Sequence, residues 1–398
     1  MEVKQCVILA GGQGSRLGNL TKKCPKPLVK IKGKPFLFYL INNLKLQGFT
    51  EFIILTHYLN KNFVNYFRKN FLNTDIKIIK EKEKLGTGGS IRNAYKFLDN
   101  EFLVLNGDTL FDINLRDLIF FARKAKAKSF VALTKSRNHK EKYSYSLNLD
   151  GRVESYIKEK KSIKYVSGGV YYFKKNFIQS LPKKELDLDQ DVLLKFFKNK
   201  SLYAKFYNNS FIDIGSVKYF RKSQNYIPNI INKPVCFLDR DGVLNYDYGY
   251  VATKSRFRWK KNVIEAIKFL NKNNYYVIVV TNQAGIGKGF FSEKKLFKLH
   301  YWINERVYKA GGYISKFYYS PFYKNSAVKR YRQESNLRKP KPGMLIKAFK
   351  EFEFFKKKHT FLIGDNITDI EAGKNFNIDS YFVEDDLYKQ VVKILKNE

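Results

Sequence analysis

Cysteine is scarce in this chain, with three in 398 residues at Cys6, Cys24 and Cys236. Their spacing excludes a disulfide framework and any C-x-x-C metal pair, so a reducing, cytoplasmic setting is expected. Long apolar runs are also missing. No stretch approaches the roughly 18 apolar residues needed to span a bilayer, and the start, MEVKQCVILAGGQG, lacks the sustained apolar segment of a signal peptide; neither membrane association nor secretion is expected. Acidic residues are few, 36 against 75 Lys and Arg, giving a formal net charge of +39. That excess raises the possibility of nucleic-acid binding. The lysines are scattered, however, with only short runs such as Lys158 to Lys161 and Lys356 to Lys358, and no helix-turn-helix, zinc-finger or RNA-recognition motif accompanies them. A dispersed basic surface suits an enzyme drawing in anionic substrates. No nucleic-acid partner is expected, and a basic regulatory or nucleic-acid-binding protein is the remote alternative.

Hydrophobic residues make up 44% of the chain and aromatics 16%, which excludes a disordered protein. The length predicts two domains. Short apolar runs, Val7 to Leu9, Phe52 to Leu55, Ile76 to Ile79 and Phe102 to Leu105, alternate with amphipathic segments at Phe36 to Leu46, Lys61 to Asn70 and Ser90 to Leu98. This alternation predicts an α/β sheet of parallel strands. Around residues 145 to 173 the pattern becomes strand-rich, with an Asp150-Gly151 turn that predicts an inserted hairpin. Ser223 to Pro234 has two prolines and three asparagines without clear periodicity and reads as an exposed connection. A second α/β series follows, with strands at Val235 to Leu238, Tyr276 to Val280, Lys316 to Tyr319 and Thr360 to Ile363. Its helices are expected near 263–272, 293–309, 343–352 and 368–376. The expected domains are residues 1–226 and 235–398, joined by a linker at 227–234.

The first strand leads into Leu9-Ala10-Gly11-Gly12-Gln13-Gly14-Ser15-Arg16-Leu17, followed by Pro25-Lys26-Pro27. Glycines allow close backbone approach to a nucleotide, and exposed N–H groups cradle phosphate, while Arg16 and Lys26 supply positive charge. Gly11 and Gly12 alone would equally suit a plain turn. The whole run closely resembles the nucleotidyltransferases that join a nucleoside triphosphate to a sugar 1-phosphate, over about residues 3–226. The resemblance implies a Rossmann-like, GT-A-like fold and catalytic roles for Arg16 and Lys26. It implies nucleotide contacts by Leu9, Gly11, Gly12 and Gly14, and by Gly86, Thr87 and Gly88 in the Leu85-Gly86-Thr87-Gly88-Gly89 loop. It further implies Mg²⁺ ligation by Asp108, in Asn106-Gly107-Asp108, and by Asp213, and places Glu159, Lys160 and Gly169 around the sugar and its phosphate. Read on their own, Asp108 and Asp213 also suit a turn or helix cap, and Glu159-Lys160 a solvated charge run.

The apolar strand Val235 to Leu238 runs into Asp239-Arg240-Asp241-Gly242-Val243. Two carboxylates at a strand's carboxyl end point into the crevice where open α/β sheets bind ligands, and unpaired burial there is costly without metal or hydrogen bonds. With Val280-Thr281-Asn282, Arg338-Lys339-Pro340 and Gly364-Asp365-Asn366-x-x-Asp369, the order resembles the motifs of haloacid dehalogenase-type phosphatases over about residues 235–385. The resemblance implies a HAD-like Rossmannoid fold. It also implies a nucleophile at Asp239, an acid and base at Asp241, phosphoryl contacts from Thr281, Asn282, Arg338 and Lys339, and Mg²⁺ held by Asp239, Asp241 and Asp365. Asp369 also fits a helix N-terminus, where an acidic side chain favours the dipole, and Gly285 to Gly289 reads either as a substrate-facing loop or a plain turn. Within this family the likeness is to the heptose 1,7-bisphosphate and histidinol-phosphate branch. Many members carry a Cys/His zinc loop before R-K-P. Tyr319-Ser320-Pro321-Phe322 and Ser335-Asn336-Leu337 offer no such ligand, so zinc is not expected.

The first half is most similar to heptose 1-phosphate guanylyltransferases. The expected function is therefore removal of one phosphate from D-glycero-D-manno-heptose 1,7-bisphosphate, then nucleotidyl transfer to the 1-phosphate from a nucleoside triphosphate such as GTP. A hexose 1-phosphate transferase fused to another phosphatase, such as a histidinol-phosphatase-like enzyme, is the alternative. The expected partners are sugar phosphates and nucleotide; the oligomeric state is not legible in the sequence.

Overall fold

Apolar runs become central strands where helices cover both faces of a sheet. In the computed structural model, which describes residues 2–72, 74–135, 143–157 and 165–397, Gln5–Leu9, Glu51–Thr56 and Glu101–Asn106 are such strands. The chain divides into two units, Met1–Ile231 and Asn232–Glu398. Among the described residues no helix is long and apolar enough to cross a membrane.

The first unit is built on a seven-stranded sheet in the order Leu202–Phe206, Ser129–Lys135, Tyr165–Lys174, Glu101–Asn106, Gln5–Leu9, Glu51–Thr56, Asp75–Lys80. The first four apolar runs pair in parallel as expected, whereas Tyr165–Lys174, from the strand-rich segment, runs antiparallel to both neighbours. That strand follows the hairpin Ser144–Leu147 and Val153–Ile157. The hairpin turn sits at Asp150-Gly151 as expected, with Gly151 at φ 79°. The helix Phe36–Leu46 starts directly after Pro35 and packs most of its length into the core. Asn60–Asn70 buries Phe63 and Phe67, four residues apart on one face.

Two boundaries differ from expectation. The segment expected to turn helical at Ser90 is helical from Gly86 to Asn93, so the glycines at 86, 88 and 89 form its first turns. The stretch expected to be an exposed linker is the second half of a helix, Val217–Ile231, and the strand Lys233–Leu238 begins two residues later. Pro228 lies inside that helix, but Ser223, Ile227 and Ile231 fall on one face and are buried. Gln224 further ties the helix to the first unit by bonding the backbone of Lys30 and Lys32. Apolar spacing and tertiary contact therefore outweigh the proline.

The second unit has five parallel strands in the order Lys316–Ser320, Tyr276–Asn282, Lys233–Leu238, Phe355–Gly364, Asp379–Phe382. The helices Val263–Lys272, Glu293–Lys309, Gly343–Glu351 and Ile367–Phe376 fall where periodicity predicts. The edge strand Asp379–Phe382 and the helix Leu387–Lys396 complete the unit.

Candidate active sites

The loop after Gln5–Leu9 enters a cavity of about 300 Å³ lined by Leu9, Gly11, Gly12, Lys26, Gly86, Thr87 and Asp108. Gly14 lies just outside it in a left-handed turn (φ 67°), where a Cβ would stand 3.0 Å from Lys26 and 3.1 Å from Thr21. Gly88 also does not line the cavity. A Cβ there would stand 2.7 Å from Val192 and 3.2 Å from Leu186, so this glycine lets the helix press against the segment behind it. At the cavity's charged end, Lys26 is buried and ion-paired to Asp108, with Asp213 3.9 Å away. The two aspartates meet because Phe211–Asp213 pairs antiparallel with Thr109–Phe111. Gly215 closes the group: a Cβ there would lie 2.7 Å from Asp213, 3.0 Å from Lys26 Nζ and 3.2 Å from Arg16 Nη2. Two carboxylates and two cations thus converge at one point, a donor set that suits a hard divalent cation and a polyphosphate.

Gly169 sits at φ 73° in a β-bulge where the register shifts between Ser167 and Tyr171. A side chain there would meet Thr109 Oγ1 at 2.6 Å and Asn106 at 2.8 Å. Glu159 and Lys160 lie outside the described residues. Two lining residues escape a reading of the sequence, Glu81 and His57. Glu81 is buried at the end of Asp75–Lys80 and accepts from Ser90 Oγ at 2.5 Å and Leu85 N at 3.4 Å. His57 Nδ1 is buried with no hydrogen-bond partner. The signal for Glu81 was a glutamate ending an apolar strand just before Leu85-Gly86-Thr87.

In the second unit a cavity of about 510 Å³ opens at the carboxyl edge of the sheet and gathers Asp239, Asp241, Thr281, Asn282, Arg338, Lys339 and Asp365. Each of three adjacent strands delivers a group: Lys233–Leu238 leads to Asp239, Tyr276–Asn282 ends on Thr281 and Asn282, and Phe355–Gly364 leads to Asp365. Carboxylate oxygens of Asp239, Asp365 and Asp369 lie within 4.8 Å of one another, a spacing that one cation could bridge. Glycines permit that approach. A Cβ at Gly242 would stand 1.9 Å from Asp365, and one at Gly364 2.1 Å from Asp369. Lys339 is buried, 3.0 Å from Asp239 and ion-paired to Asp369. Burial pushes Asp239 up to about 7, with Lys339 opposing and Asp369 and Asp241 adding to the rise. Burial and then Asp369 also raise Asp365. Carboxyls strained toward protonation in this way favour a cation among them.

The structure distributes roles differently from the sequence reading at three positions. Asp241 stands outside the three-carboxylate cluster. Its carboxylate accepts from Arg240 Nη2 (2.6 Å), Gln283 Nε2 (2.8 Å) and Asn245 Nδ2 (3.0 Å). Asn282 spends both ends of its amide on the backbone N–H and C=O of Lys339, each at 3.1 Å, so its side chain positions that lysine. Asp369 caps its helix in a reciprocal box with Asn366 and also pairs with Lys339, so the helix-terminus and site readings both hold. Arg240 and His300 escape the sequence reading: Arg240 is fully buried, bonds Val251 O at 2.6 Å and lies 3.4 Å from His300 Nε2.

The loop before Arg338, where many similar phosphatases carry zinc ligands, is closed by apolar packing. Ile286, Phe291, Leu296, Ala252 and Tyr331 form a small core, with Tyr319, Phe322 and Val328 against it.

A nucleotidyl transferase family profile matches residues 5–229, and a HAD-hydrolase-like profile matches residues 336–393. The D-glycero-alpha-D-manno-heptose 1-phosphate guanylyltransferase of Campylobacter jejuni is 36% identical over 214 residues, 53% of this chain and 94% of the relative. The D-glycero-beta-D-manno-heptose-1,7-bisphosphate 7-phosphatase of Rhodopseudomonas palustris is 37% identical over 152 residues, 38% of this chain and 84% of the relative. Among solved structures, HddC from Yersinia pseudotuberculosis matches with a TM-score of 0.51 at 29% identity, covering 56% of this chain and 99% of its own.

Proposed function

We propose two consecutive reactions for this chain, which belongs to the nucleotidyl transferase family through residues 5–229 and to the HAD-hydrolase-like family through its second unit. The second unit removes the 7-phosphate of D-glycero-D-manno-heptose 1,7-bisphosphate, and the first transfers GMP from GTP to the resulting 1-phosphate, in the cytoplasm. One observation carries this reading: the product named for one set of relatives is the kind of substrate named for the other, and a single chain resembles both. The two names differ at the anomeric centre. Dephosphorylation at position 7 leaves that centre untouched, so a phosphatase supplying its own transferase must accept the transferase's anomer, here alpha.

In the phosphatase, Asp239 attacks phosphorus while the bond to the sugar oxygen breaks and Asp241 donates a proton to that oxygen. Asp241 then takes a proton from the water that releases phosphate from Asp239. Lys339 neutralises the phosphoryl group, and Thr281 bonds it. In the transferase, a phosphate oxygen of the sugar 1-phosphate attacks the α-phosphorus and pyrophosphate leaves, with Arg16 and Lys26 balancing the charge. Magnesium, when bound by Asp239, Asp365 and Asp369 or by Asp108 and Asp213, supplies further neutralisation of phosphate. Glu81 supports the choice of GTP, since a carboxylate accepts hydrogen bonds only, and guanine offers adjacent N1–H and N2–H donors that adenine lacks.

The test gives each variant both anomers of the bisphosphate, Mg²⁺ and each nucleoside triphosphate in turn, with products read by phosphorus NMR. Wild type should release phosphate and then pyrophosphate, with GTP preferred. Asp239→Asn should leave the bisphosphate intact. Asp108→Asn should accumulate heptose 1-phosphate while phosphate release continues. Turnover of hexose phosphates alone would overturn the pathway.

A further inference from the structure

Arg16, which balances charge on the departing pyrophosphate, stands on a loop with little packing of its own. Of residues 12–23 only Leu17 and Thr21 are buried. Fixing such a segment costs conformational entropy, and two buried side chains offset little of it. Hydrogen bonds supply the restraint. Thr21 Oγ1 donates to Gly14 O at 3.0 Å, with Gly18 O at 3.2 Å, and so closes the turn that carries Arg16. Two side chains then reach the loop from outside it. Tyr58 Oη donates to Lys22 O at 2.9 Å, with Thr21 O at 3.2 Å, and Asn62 Nδ2 donates to Lys23 O at 3.0 Å.

Tyr58 belongs to the turn between the strand Glu51–Thr56 and the helix Asn60–Asn70. Its neighbour His57 lines the nucleotide cavity with Glu81, and a Cβ at Gly11 would stand 3.5 Å from His57 Cβ. Backbone bonds fix the start of this turn to the same wall: Ala10 N donates to Leu55 O and Glu81 N to Thr56 O, each at 2.8 Å. One short turn therefore forms part of the nucleotide's wall at His57 and, one residue later, holds the loop with Arg16. We infer that Tyr58 is a positioning residue for nucleotidyl transfer: through it, a nucleotide seated against His57 steadies the loop and brings Arg16 to the triphosphate. Tyr58 does not itself line the cavity. A guanidinium stabilises developing charge only while it is held where that charge appears, and a loop sampling open positions spends little time there. The link needs the phenol oxygen, not the ring. It rests on the transferase reading above, but not on heptose as the acceptor.

The experiment follows pyrophosphate release from GTP and heptose 1-phosphate in the full-length protein as wild type, Tyr58→Phe, Arg16→Lys and the double variant. Tyr58→Phe should lower kcat about fivefold, the order expected from one lost hydrogen bond, and leave KM for the sugar phosphate near its wild-type value. In the Arg16→Lys background the same change should cost less than about twofold, because no guanidinium is left to position. An equal loss in both backgrounds, or no loss in the wild-type background, overturns the inference. Trypsin gives a reading free of turnover, since Lys22 and Lys23 are exposed on the loop. GTP with Mg²⁺ should slow cleavage there, followed by mass spectrometry, about threefold or more in wild type and far less in Tyr58→Phe. Equal protection of the two proteins also overturns the inference. If wild type transfers nothing to heptose 1-phosphate, the heptose reading falls; in that case, or if Arg16→Lys is too slow to assay, the trypsin comparison decides alone.

Discussion

Lys339 owes its place to two carboxylates and an amide. Asp239 and Asp369 flank its ammonium, and Asn282 fixes its backbone. Burial alone would favour its neutral form, but the two aspartates hold the charge in place. Removing one partner from a buried pair leaves the other charge uncompensated, at a cost of about 3–5 kcal/mol. Asp369→Asn leaves Lys339 with Asp239 alone, so it should lower the unfolding free energy of the second unit, read by urea titration, by up to that order, as well as slow the phosphatase. A variant as stable as wild type would show that Lys339 finds compensation elsewhere. Asp239, Asp241 and Lys339 were legible in the sequence because each belongs to a short run at a strand end or beside a proline. Glu81, His57, Arg240 and Gln283 were not, because their surroundings come from other elements: Gln283 meets Asp241 from the neighbouring strand end, and Arg240 meets Val251 and His300. No spacing along one segment records that meeting.

Elements were legible where apolar periodicity was strong, as in Phe36–Leu46, Val263–Lys272 and Glu293–Lys309. They were misread where composition argued against tertiary contact. The glycines of Gly86–Asn93 and the proline of Val217–Ile231 both signal irregular chain, yet each element is held by what it packs on. The antiparallel course of Tyr165–Lys174 also left no local mark, since a strand buried on both faces reads the same in either direction. The helix Glu293–Lys309 has a pH consequence. His300 is buried against Phe317, at 4.5 Å between ring centres, and burial followed by Arg240 holds its pKa well below the ordinary histidine value. As pH falls below about 6.5 the unfolded chain gains a proton that the folded chain refuses, so folding stability declines; above that pH the term vanishes. Urea midpoints of the second unit should drop between about pH 7 and pH 5.5, and drop less in His300→Phe, which keeps the ring stacking. An equal drop in both proteins would assign the pH dependence to other groups.

For the whole molecule, the break between units falls between Ile231 and Asn232, inside the stretch whose composition suggested a linker but after the end of a buried helix. The position is measurable. A fragment of residues 1–231 should fold and keep transferase activity, whereas 1–228 loses buried Ile231 and the end of its helix and should be less stable by about 2 kcal/mol or more. Thermal melts of the two fragments decide this, and equal midpoints would show that the last turn contributes nothing.

The apolar cluster of Ile286, Phe291, Leu296 and Tyr331 gives the phosphatase half a distinctive temperature response. A loop pinned by metal ligands is set by metal supply and by the pH at which its ligands deprotonate. A loop pinned by hydrophobic packing depends on water instead, and that attraction weakens on cooling. The glycine turn gripped by Phe291 borders the phosphatase cavity, so substrate binding there should slacken first in the cold, with KM for the bisphosphate rising toward low temperature.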